Sequence, residues 1–276
     1  MSSAKPTLDF FMDTGKPITD ICPRKLVVSH ENDKLRDILN IMLTEKYRKI
    51  PVVDDNADLR GIVTTIDVLD LLGGGEKYDI FRKNSKSRSL PVEKFMTKHV
   101  KAMRPETTIN KAKGVFRRGE FGLYPVVKSK KLVSVVSEWD LVKHVSGRTG
   151  IRVYEAMVER PFLAKRGYTV YDVAKMMCRG GFRRFPVVDD GILVGFVAPS
   201  DILLHIYRNS MEDKFVMDKT RIEKVMNRDP VTIHENADLL SAVNAMKSKR
   251  VGGLPVVEED ELIGIITERD ILEVLL

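Results

Sequence analysis

Cysteine is scarce in this chain of 276 residues: Cys22 and Cys178 are the only two, and neither belongs to a CxxC pair or a cluster with histidine. A disulfide framework or a structural zinc site needs more cysteines at closer spacing, so we expect neither, and no metal site. No apolar run approaches the roughly 18 residues that span a bilayer. Residues 1–16 are mixed polar without an apolar signal region. The chain is therefore predicted to be cytoplasmic and not a membrane protein.

Aromatic residues are also few, at 7% of the chain, and neither an aromatic RNA-binding strand nor a DNA recognition helix is evident. Catalytic motifs are missing as well: there is no GxSxG, HExxH, Walker A or GxGxxG pattern. We therefore expect a protein without catalytic activity of its own. The net charge of +7 favours anionic partners. Nucleic acid stays open as a secondary partner beside small phosphorylated ligands.

The chain does contain a fourfold internal repeat. An apolar signature ending in Pro-Val-Val recurs at residues 50–53, 124–127, 185–188 and 254–257. Apolar residues stand sixteen, thirteen and nine positions before each proline, for example Leu35, Ile38 and Met42. This spacing predicts one amphipathic helix per copy, with these residues in the core. Two strands and a closing helix are predicted after the proline.

Each copy thus predicts an α/β (α+β) unit in the order strand–helix–strand–strand–helix. We place the repeats at residues 17–75, 90–146, 151–207 and 220–276. A unit of this kind leaves one sheet face and two helices uncovered, so pairing of copies is expected.

An aspartate opens the closing helix of every copy, fifteen or sixteen residues after the proline. A threonine or serine stands three residues earlier in three copies, which matches a capping box. Capping alone would admit Glu, Gln or Ser at this position, yet the aspartate remains in the third copy, where Ala198 replaces the hydroxyl. A carboxylate at a strand-to-helix corner can accept two hydrogen bonds from a ribose diol, and a helix N-terminus suits phosphate. The pattern therefore indicates a nucleotide.

Basic residues stand two and three positions before the proline in copies 1 and 3, where copy 4 has two glycines and copy 2 has one. Arginine is the usual side chain for bidentate recognition of phosphate. Arg269 is a weaker phosphate candidate. The basic residues of copies 1 and 3 are Arg48, Lys49, Arg183 and Arg184.

At these residues the sequence resembles the CBS-domain family, whose repeats carry an apolar-Pro-Val-Val element and a Gly-x-x-Thr/Ser-x-x-Asp segment. Four such repeats are similar to the γ regulatory subunit of AMP-activated protein kinase and to stand-alone archaeal relatives. The resemblance implies that the repeats pair into two Bateman modules, that the modules form a flat disc with up to four clefts, and that AMP, ADP or ATP binds there.

The resemblance also implies residue roles. Residues before the Pro-Val-Val element, here Arg48, Lys49, Arg183 and Arg184, would reach phosphates. Copy 2 departs from the family pattern with Ser134 in place of glycine, and copy 3 lacks the hydroxyl at Ala198. The sites of these two copies therefore match the family less well. The residues that would hold ribose are Asp67 with Thr64, Asp140 with Ser137, Asp201, and Asp270 with Thr267.

The leading hypothesis is an adenine-nucleotide-binding regulator of the energy-sensor type. It would act on an unidentified protein, kinase-like by analogy, and would itself be a monomer or a homodimer. One alternative is an S-adenosylmethionine-type ligand, which shares the ribose diol. Another is nucleic-acid binding through the basic surface. The basic insertion at residues 76–89 is predicted to be a solvated linker, with an arm for phosphate, nucleic acid or a partner as the alternative.

Overall fold

The structure is a computed structural model that describes residues 5–75, 89–119, 121–209 and 219–276. The basic insertion lies outside the described residues except for Ser89. None of the described helices is long and apolar enough to cross a membrane. The same part of the chain contains no group of three or more His, Cys, Asp or Glu side chains that could hold a metal ion.

The first long helix of every repeat begins sixteen residues before the signature proline, as the apolar spacing predicts. The residues nine before the proline are almost fully buried, with Met42 3% and Phe116 0% exposed. This burial confirms that the apolar column packs in the core. These opening helices are Leu35–Thr44, Ile109–Arg117, Val170–Gly180 and Leu239–Lys249.

The Pro-Val-Val signature lies in a buried strand that pairs antiparallel with the next strand. A short third strand runs parallel to the signature strand in repeats 1, 3 and 4, and repeat 2 has a single parallel bridge from Met103 to Val126 in its place. The signature strands are Lys49–Val53, Leu123–Lys128, Phe185–Asp189 and Gly253–Glu258. Their antiparallel partners are Leu59–Thr64, Lys131–Ser137, Ile192–Val197 and Glu261–Thr267. The short strands are Ser29–His30, Ala164–Lys165 and Ile233–His234.

The two valines of the signature mark a register shift in all four hairpins. In repeat 1, Val52 pairs with Gly61 and Val53 pairs with Leu59, which leaves Arg60 as the extra residue of a β-bulge. The first valine therefore always faces the glycine or serine that begins the aspartate segment.

The closing helices complete the mixed α/β architecture that the sequence predicts. They are Thr65–Leu69, Glu138–Val142, Pro199–Asn209 and Glu268–Leu275. In repeat 1 a π-helical turn, Asp70–Gly74, continues the helix. A short helix, Leu8–Phe11, precedes repeat 1.

The beginning of each repeat packs against a neighbouring repeat, not against its own. We call residues 17–26, 90–98, 151–161 and 220–229 the exchanged segments. In the first of them, Ile18 N donates to Thr107 O of repeat 2 at 2.8 Å, while in the second, Val92 N donates to Asp33 O of repeat 1 at 2.8 Å. Each segment contains a short 3₁₀ helix with one fully buried residue. Those residues are Ile18, Val92, Val153 and Ile222.

Repeats 3 and 4 exchange segments in the same way. Val153 N donates to Ala237 O at 2.9 Å, and Ile222 N donates to Tyr168 O at 2.8 Å. The first N–H group of each opening helix is also bonded across the exchange. In repeats 1, 3 and 4 it donates to the partner's segment, for example Leu35 N to Leu90 O at 2.9 Å, and in repeat 2 Ile109 N donates to Lys16 O, directly before the first segment. Repeats 1 and 2 are thus joined as one pair, and repeats 3 and 4 as the other.

The fold divides into two compact units, each with its own hydrophobic core. The repeat 1–3 unit consists of Val27–Val100 and Phe162–Asp229, and in it the closing helix of repeat 3 packs on the opening and closing helices of repeat 1. The repeat 2–4 unit consists of Met1–Leu26, Lys101–Pro161 and Pro230–Leu276, considered over the described residues, and in it the closing helices of repeats 2 and 4 pack together.

Candidate functional site

The aspartate of every closing helix uses one carboxylate oxygen to cap that helix. In repeat 1, Asp67 Oδ2 accepts hydrogen bonds from Thr64 N at 2.9 Å and Thr64 Oγ1 at 2.7 Å. Asp140 and Asp270 make the same two contacts with Ser137 and Thr267. Oδ2 of these three aspartates therefore caps the helix N-terminus, and Oδ1 is the oxygen that the cap does not use.

In repeat 3 the backbone alone supplies this contact, because Ala198 has no hydroxyl. Asp201 Oδ2 accepts from Ala198 N at 2.8 Å. This is the one hydrogen bond that the structure gives the Asp201 carboxylate among the described residues.

The second carboxylate oxygen has a different partner in repeats 1 and 2. Asp67 Oδ1 accepts from Thr97 Oγ1 at 3.1 Å, and Thr97 belongs to the exchanged segment of repeat 2. Asp140 Oδ1 forms an ion pair with Lys143 Nζ at 2.7 Å. Asp67 and Asp140 are both buried, with 8% and 6% exposure. Their second oxygens therefore already have donors within the protein.

Asp201 and Asp270 are less buried than the other two aspartates. Burial is the main influence on Asp201, and it raises the pKa of this carboxyl above its usual value. The Ala198 N–H group and the positive charge of Arg48 oppose this pKa shift. Arg48 lies in repeat 1, so the repeat 1–3 unit brings a predicted phosphate residue of one copy close to a predicted ribose residue of another.

Arg48 and Lys49 lie at the end of the hairpin where the closing helix begins. Lys49 pairs with Thr64 in the sheet, and Thr65 N donates to Arg48 O at 3.0 Å. Arg183 and Arg184 precede the equivalent strand of repeat 3, where Phe185 pairs with Val197. In both repeats the basic pair and the aspartate segment therefore share one end of the sheet.

Arg269 is held by several groups of the repeat 2–4 unit. Its guanidinium donates to Glu273 Oε1 at 2.7 Å, to Glu138 Oε1 at 3.3 Å and to the Phe116 carbonyl. The carboxylates beside it raise the pKa of Arg269 despite its partial burial. These contacts tie the closing helix of repeat 4 to repeat 2.

The glycine of the aspartate segment is required by packing against an exchanged segment. A Cβ placed on Gly61 would lie 2.7 Å from Met96 Sδ, and one on Gly195 would collide with Met226 Sδ. A Cβ on Gly264 would lie 2.8 Å from Met157 Sδ. The thioether of one repeat thus lies where a side chain of its exchange partner would be.

Repeat 2 carries Ser134 at this position, and the exchanged segment that packs against it carries Cys22 instead of methionine. The smaller cysteine leaves room for the serine side chain, which is buried and hydrogen-bonded to Cys22. Burial raises the pKa of the Cys22 thiol. The departure from glycine in repeat 2 is therefore matched by a second change in repeat 1.

Thr97 and Lys143 were not among the predicted site residues. Thr97 is distant in sequence from Asp67, and only the exchange of segments brings it close. Lys143 carried a sequence signal: it follows Asp140 by three residues, which is one helical turn, whereas the equivalent positions hold Asp70, Leu204 and Glu273.

Comparison with known proteins gives a consistent result. The family model of the CBS domain matches residues 18–74, 92–147, 153–208 and 222–276. The uncharacterized protein MJ1225 of Methanocaldococcus jannaschii is 32% identical over 266 residues, which cover 91% of this chain and 95% of that protein.

Two solved structures have the same fold over most of the chain. The crystal structure of MJ1225, described there as a candidate archaeal homologue of γ-AMPK, has a TM-score of 0.87 at 29% identity and covers 94% of this chain and 100% of its own. A conserved protein of Pyrococcus horikoshii has a TM-score of 0.62 at 19% identity, with the same coverages of 94% and 100%, and this likeness concerns the fold alone.

Proposed function

This chain belongs to the CBS-domain family, with four copies of the domain, and we propose that it is a regulatory protein that binds the adenine nucleotides AMP, ADP or ATP. The ribose hydroxyls bind to aspartates of the closing helices, with Asp201 and Asp270 as the leading sites. The basic residues before the signature strands bind phosphate. The protein performs no chemistry on the nucleotide in this proposal.

The observation that best supports this proposal is the arrangement around Asp201. Its carboxylate has a raised pKa because burial outweighs the N–H group and the guanidinium near it. A buried carboxylate with few donors gains from hydroxyl groups that donate to it, as the two hydroxyls of a ribose do. Arg48 supplies a positive charge for phosphate at the same place. One nucleotide can therefore bind both groups, with its ribose at Asp201 and a phosphate at Arg48.

The same reasoning ranks the other three aspartates by how readily a ribose can bind to them. Asp270 shares the half-buried setting of Asp201, so we propose it as the site of the repeat 2–4 unit. At Asp67 a ribose must replace the neutral hydroxyl of Thr97, whose hydrogen bond at 3.1 Å is long for O–H···O. At Asp140 it must replace an ammonium group, and charge-assisted hydrogen bonds are about twice as strong as neutral ones.

The regulatory step is also part of the proposal. Asp201 and Arg48 belong to different repeats, so a nucleotide that binds both favours the packed arrangement of repeats 1 and 3. A partner protein that recognises this arrangement would respond to nucleotide level, provided that its affinity differs between the two states. The partner is a regulated protein, kinase-like by analogy with γ-AMPK.

The phosphate contact distinguishes nucleotides from other adenosyl ligands. Replacement of Arg48 by alanine should weaken AMP binding at the Asp201 site about 10-fold or more and leave adenosine binding within about 2-fold, because only AMP carries the charge that Arg48 neutralises. Isothermal titration calorimetry with both ligands measures this. Arg36→Ala is the matched control, since Arg36 is an exposed arginine in the same repeat. Equal losses for AMP and adenosine would contradict a phosphate contact at Arg48. Binding of S-adenosylmethionine in preference to all three nucleotides would show that the ligand is an adenosyl compound of that type and not a nucleotide.

A further inference from the structure

Repeat 2 and the segment of repeat 1 that packs on it differ from the other repeats at three positions that come together in space. Ser134 replaces the segment glycine, Cys22 replaces the methionine that packs on it, and Lys143 stands one turn after Asp140. Cys22 is hydrogen-bonded to Ser134 and lies close enough to Asp140 and Lys143 for their charges to affect the pKa of its thiol. The three changes therefore modify one place, the environment of the Asp140 carboxylate.

Lys143 satisfies the oxygen of Asp140 that the helix cap leaves over. Its Nζ lies 2.7 Å from Asp140 Oδ1, and the two side chains are only 27% and 9% exposed. The same Nζ donates to Ile21 O at 2.9 Å. Ile21 belongs to the exchanged segment of repeat 1, so this ammonium group joins the closing helix of repeat 2 to the segment that packs on it.

We propose that Lys143 is an internal counter-ion that occupies the ligand position at Asp140, so that repeat 2 holds the exchanged segment of repeat 1 in place and binds no nucleotide. The proposal rests on the assignment of ribose to the other aspartates, which it deepens by specifying which clefts accept ligand. A ribose hydroxyl at Asp140 would have to displace a partly buried ammonium group from a carboxylate and from a carbonyl. It would offer only a neutral hydrogen bond in return.

Repeat 3 has no equivalent of this connection in the part of the chain that the structure describes, since the Asp201 carboxylate accepts a hydrogen bond from Ala198 N alone. The residue after the methionine in the segment that packs on repeat 3 is Asn227, and its side chain bonds to the backbone of Asp229. Leu204 and Glu273 stand at the positions of Lys143 and cannot donate to a carboxylate. The aspartate of repeat 3 therefore remains suited to a ligand.

The number of AMP sites tests whether Lys143 keeps nucleotide from binding at Asp140. By isothermal titration calorimetry, Asp140→Ala should bind as many AMP molecules as the unmodified chain, with affinities unchanged within about 2-fold. Lys143→Met should add one site, which the double variant Lys143→Met/Asp140→Ala lacks. Lys111→Met, an exposed lysine on the opening helix of repeat 2, should change nothing. Loss of a site in Asp140→Ala, or no additional site in a folded Lys143→Met variant, would overturn the proposal.

The fastening role has a measurement that needs no nucleotide. Lys143→Met should lower the melting temperature by about 2–6 °C, whereas Lys111→Met should leave it within about 1 °C. Asp140→Asn added to Lys143→Met should lower it little further, because both changes break the same ion pair. Melting temperatures that fall additively, or not at all, would overturn the fastening role. If the unmodified chain binds no AMP, the proposed function fails, and this measurement still decides on Lys143.

Discussion

At the scale of single residues, the four aspartates have the same role in the helix cap and differ at the second carboxylate oxygen. Thr97 donates to that oxygen of Asp67, and Lys143 pairs with that of Asp140. The capping interpretation of the Thr-x-x-Asp pattern therefore holds in the structure, and ligand binding must use what capping leaves over. We therefore expect Asp201 to bind nucleotide best, because Ala198 N is its one hydrogen-bond donor among the described residues, and Asp270 to follow because it is less buried than Asp67 and Asp140.

Removal of a site carboxylate should weaken every adenosine-containing ligand, whatever its number of phosphates. We expect Asp270→Ala to cost about 2–3 kcal/mol at its site, or roughly 30- to 150-fold in affinity, because a pair of charge-assisted hydrogen bonds to ribose is lost. Calorimetric titration with AMP and ATP measures the loss.

Asp172→Ala is a matched control for this experiment. Asp172 caps the opening helix of repeat 3 through the same two contacts with Thr169, at 2.9 and 2.6 Å, and it is exposed at a position with no predicted ligand. Its loss should reduce stability through the cap and leave AMP affinity unchanged. An equal loss of affinity in both variants would show that capping, and not ribose, is what Asp270 provides.

The raised pKa of Asp201 predicts a pH dependence of stability. The folded protein binds the Asp201 proton more tightly than the unfolded chain, so this group makes the folded state less stable as pH rises from the usual value of about 3.8 through the raised pKa. Asp201→Asn should therefore gain stability relative to the unmodified chain over this pH window. Urea denaturation of both proteins between about pH 4 and pH 7 measures the difference. A constant difference across that range would contradict a raised pKa.

At the scale of structural elements, the hairpin of one repeat packs against the exchanged segment of its partner repeat. This packing explains the glycine of the Gly-x-x-Thr/Ser-x-x-Asp motif. The glycine of the aspartate segment is needed because a methionine of the partner repeat packs on its Cα. The hairpins of repeats 1, 3 and 4 have the glycine–methionine pair, whereas the hairpin of repeat 2 has Ser134 with Cys22. The two positions must therefore change together.

Enlargement of one member of such a pair should destabilise the fold. Gly61→Ala places a methyl group 2.7 Å from Met96 Sδ and 2.8 Å from Thr97 O, and the backbone atom cannot move aside as a side chain can. We expect a loss of about 1–3 kcal/mol in the free energy of unfolding. Urea denaturation measures it, and Gly114→Ala, whose added Cβ meets nothing within 4 Å, is the control.

The serine–cysteine pair allows the reverse experiment. Cys22→Met should destabilise the chain, and Ser134→Gly added to it should restore most of the loss, because the double variant reproduces the pair found in the other repeats. Additive losses in the double variant would contradict the packing explanation.

The local elements were predictable because each repeat presents the same periodicities. The opening helices begin at the first residue of the apolar spacing, and two strands follow in the predicted order, for example Gly253–Glu258 and Glu261–Thr267 in repeat 4. The exchange of segments was not predictable in this way, since no periodicity within one repeat shows which repeat its first residues contact. For the same reason the sequence indicated the aspartates but not Thr97 or the role of Lys143.

At the scale of the whole molecule, chain order and packing combine the repeats differently. Exchange joins repeat 1 to repeat 2 and repeat 3 to repeat 4, whereas the two compact units combine repeats 1 and 3 and repeats 2 and 4. Each unit therefore contains material from both halves of the chain, and neither half contains a complete unit.

A half chain that ends at residue 148 should accordingly be unstable as a monomer. Its closing helices would lose the helices of repeats 3 and 4 on which they pack, and this apolar surface favours pairing with a second copy. We expect a dimer, or a melting temperature well below that of the full chain, by light scattering and thermal unfolding. A monomeric half chain as stable as the full chain would contradict the two-unit organisation.

The most direct test of the central claim is isothermal titration calorimetry of the purified full chain with AMP, ADP, ATP and S-adenosylmethionine at one moderate salt concentration. The proposed function predicts micromolar or tighter binding of at least one of the three nucleotides, and the environments of the aspartates predict fewer than four sites. No heat with any nucleotide would contradict adenine-nucleotide binding. In that case, heat with S-adenosylmethionine would change the ligand class, and no heat with any of the four would favour protein or nucleic-acid binding as the function of the chain.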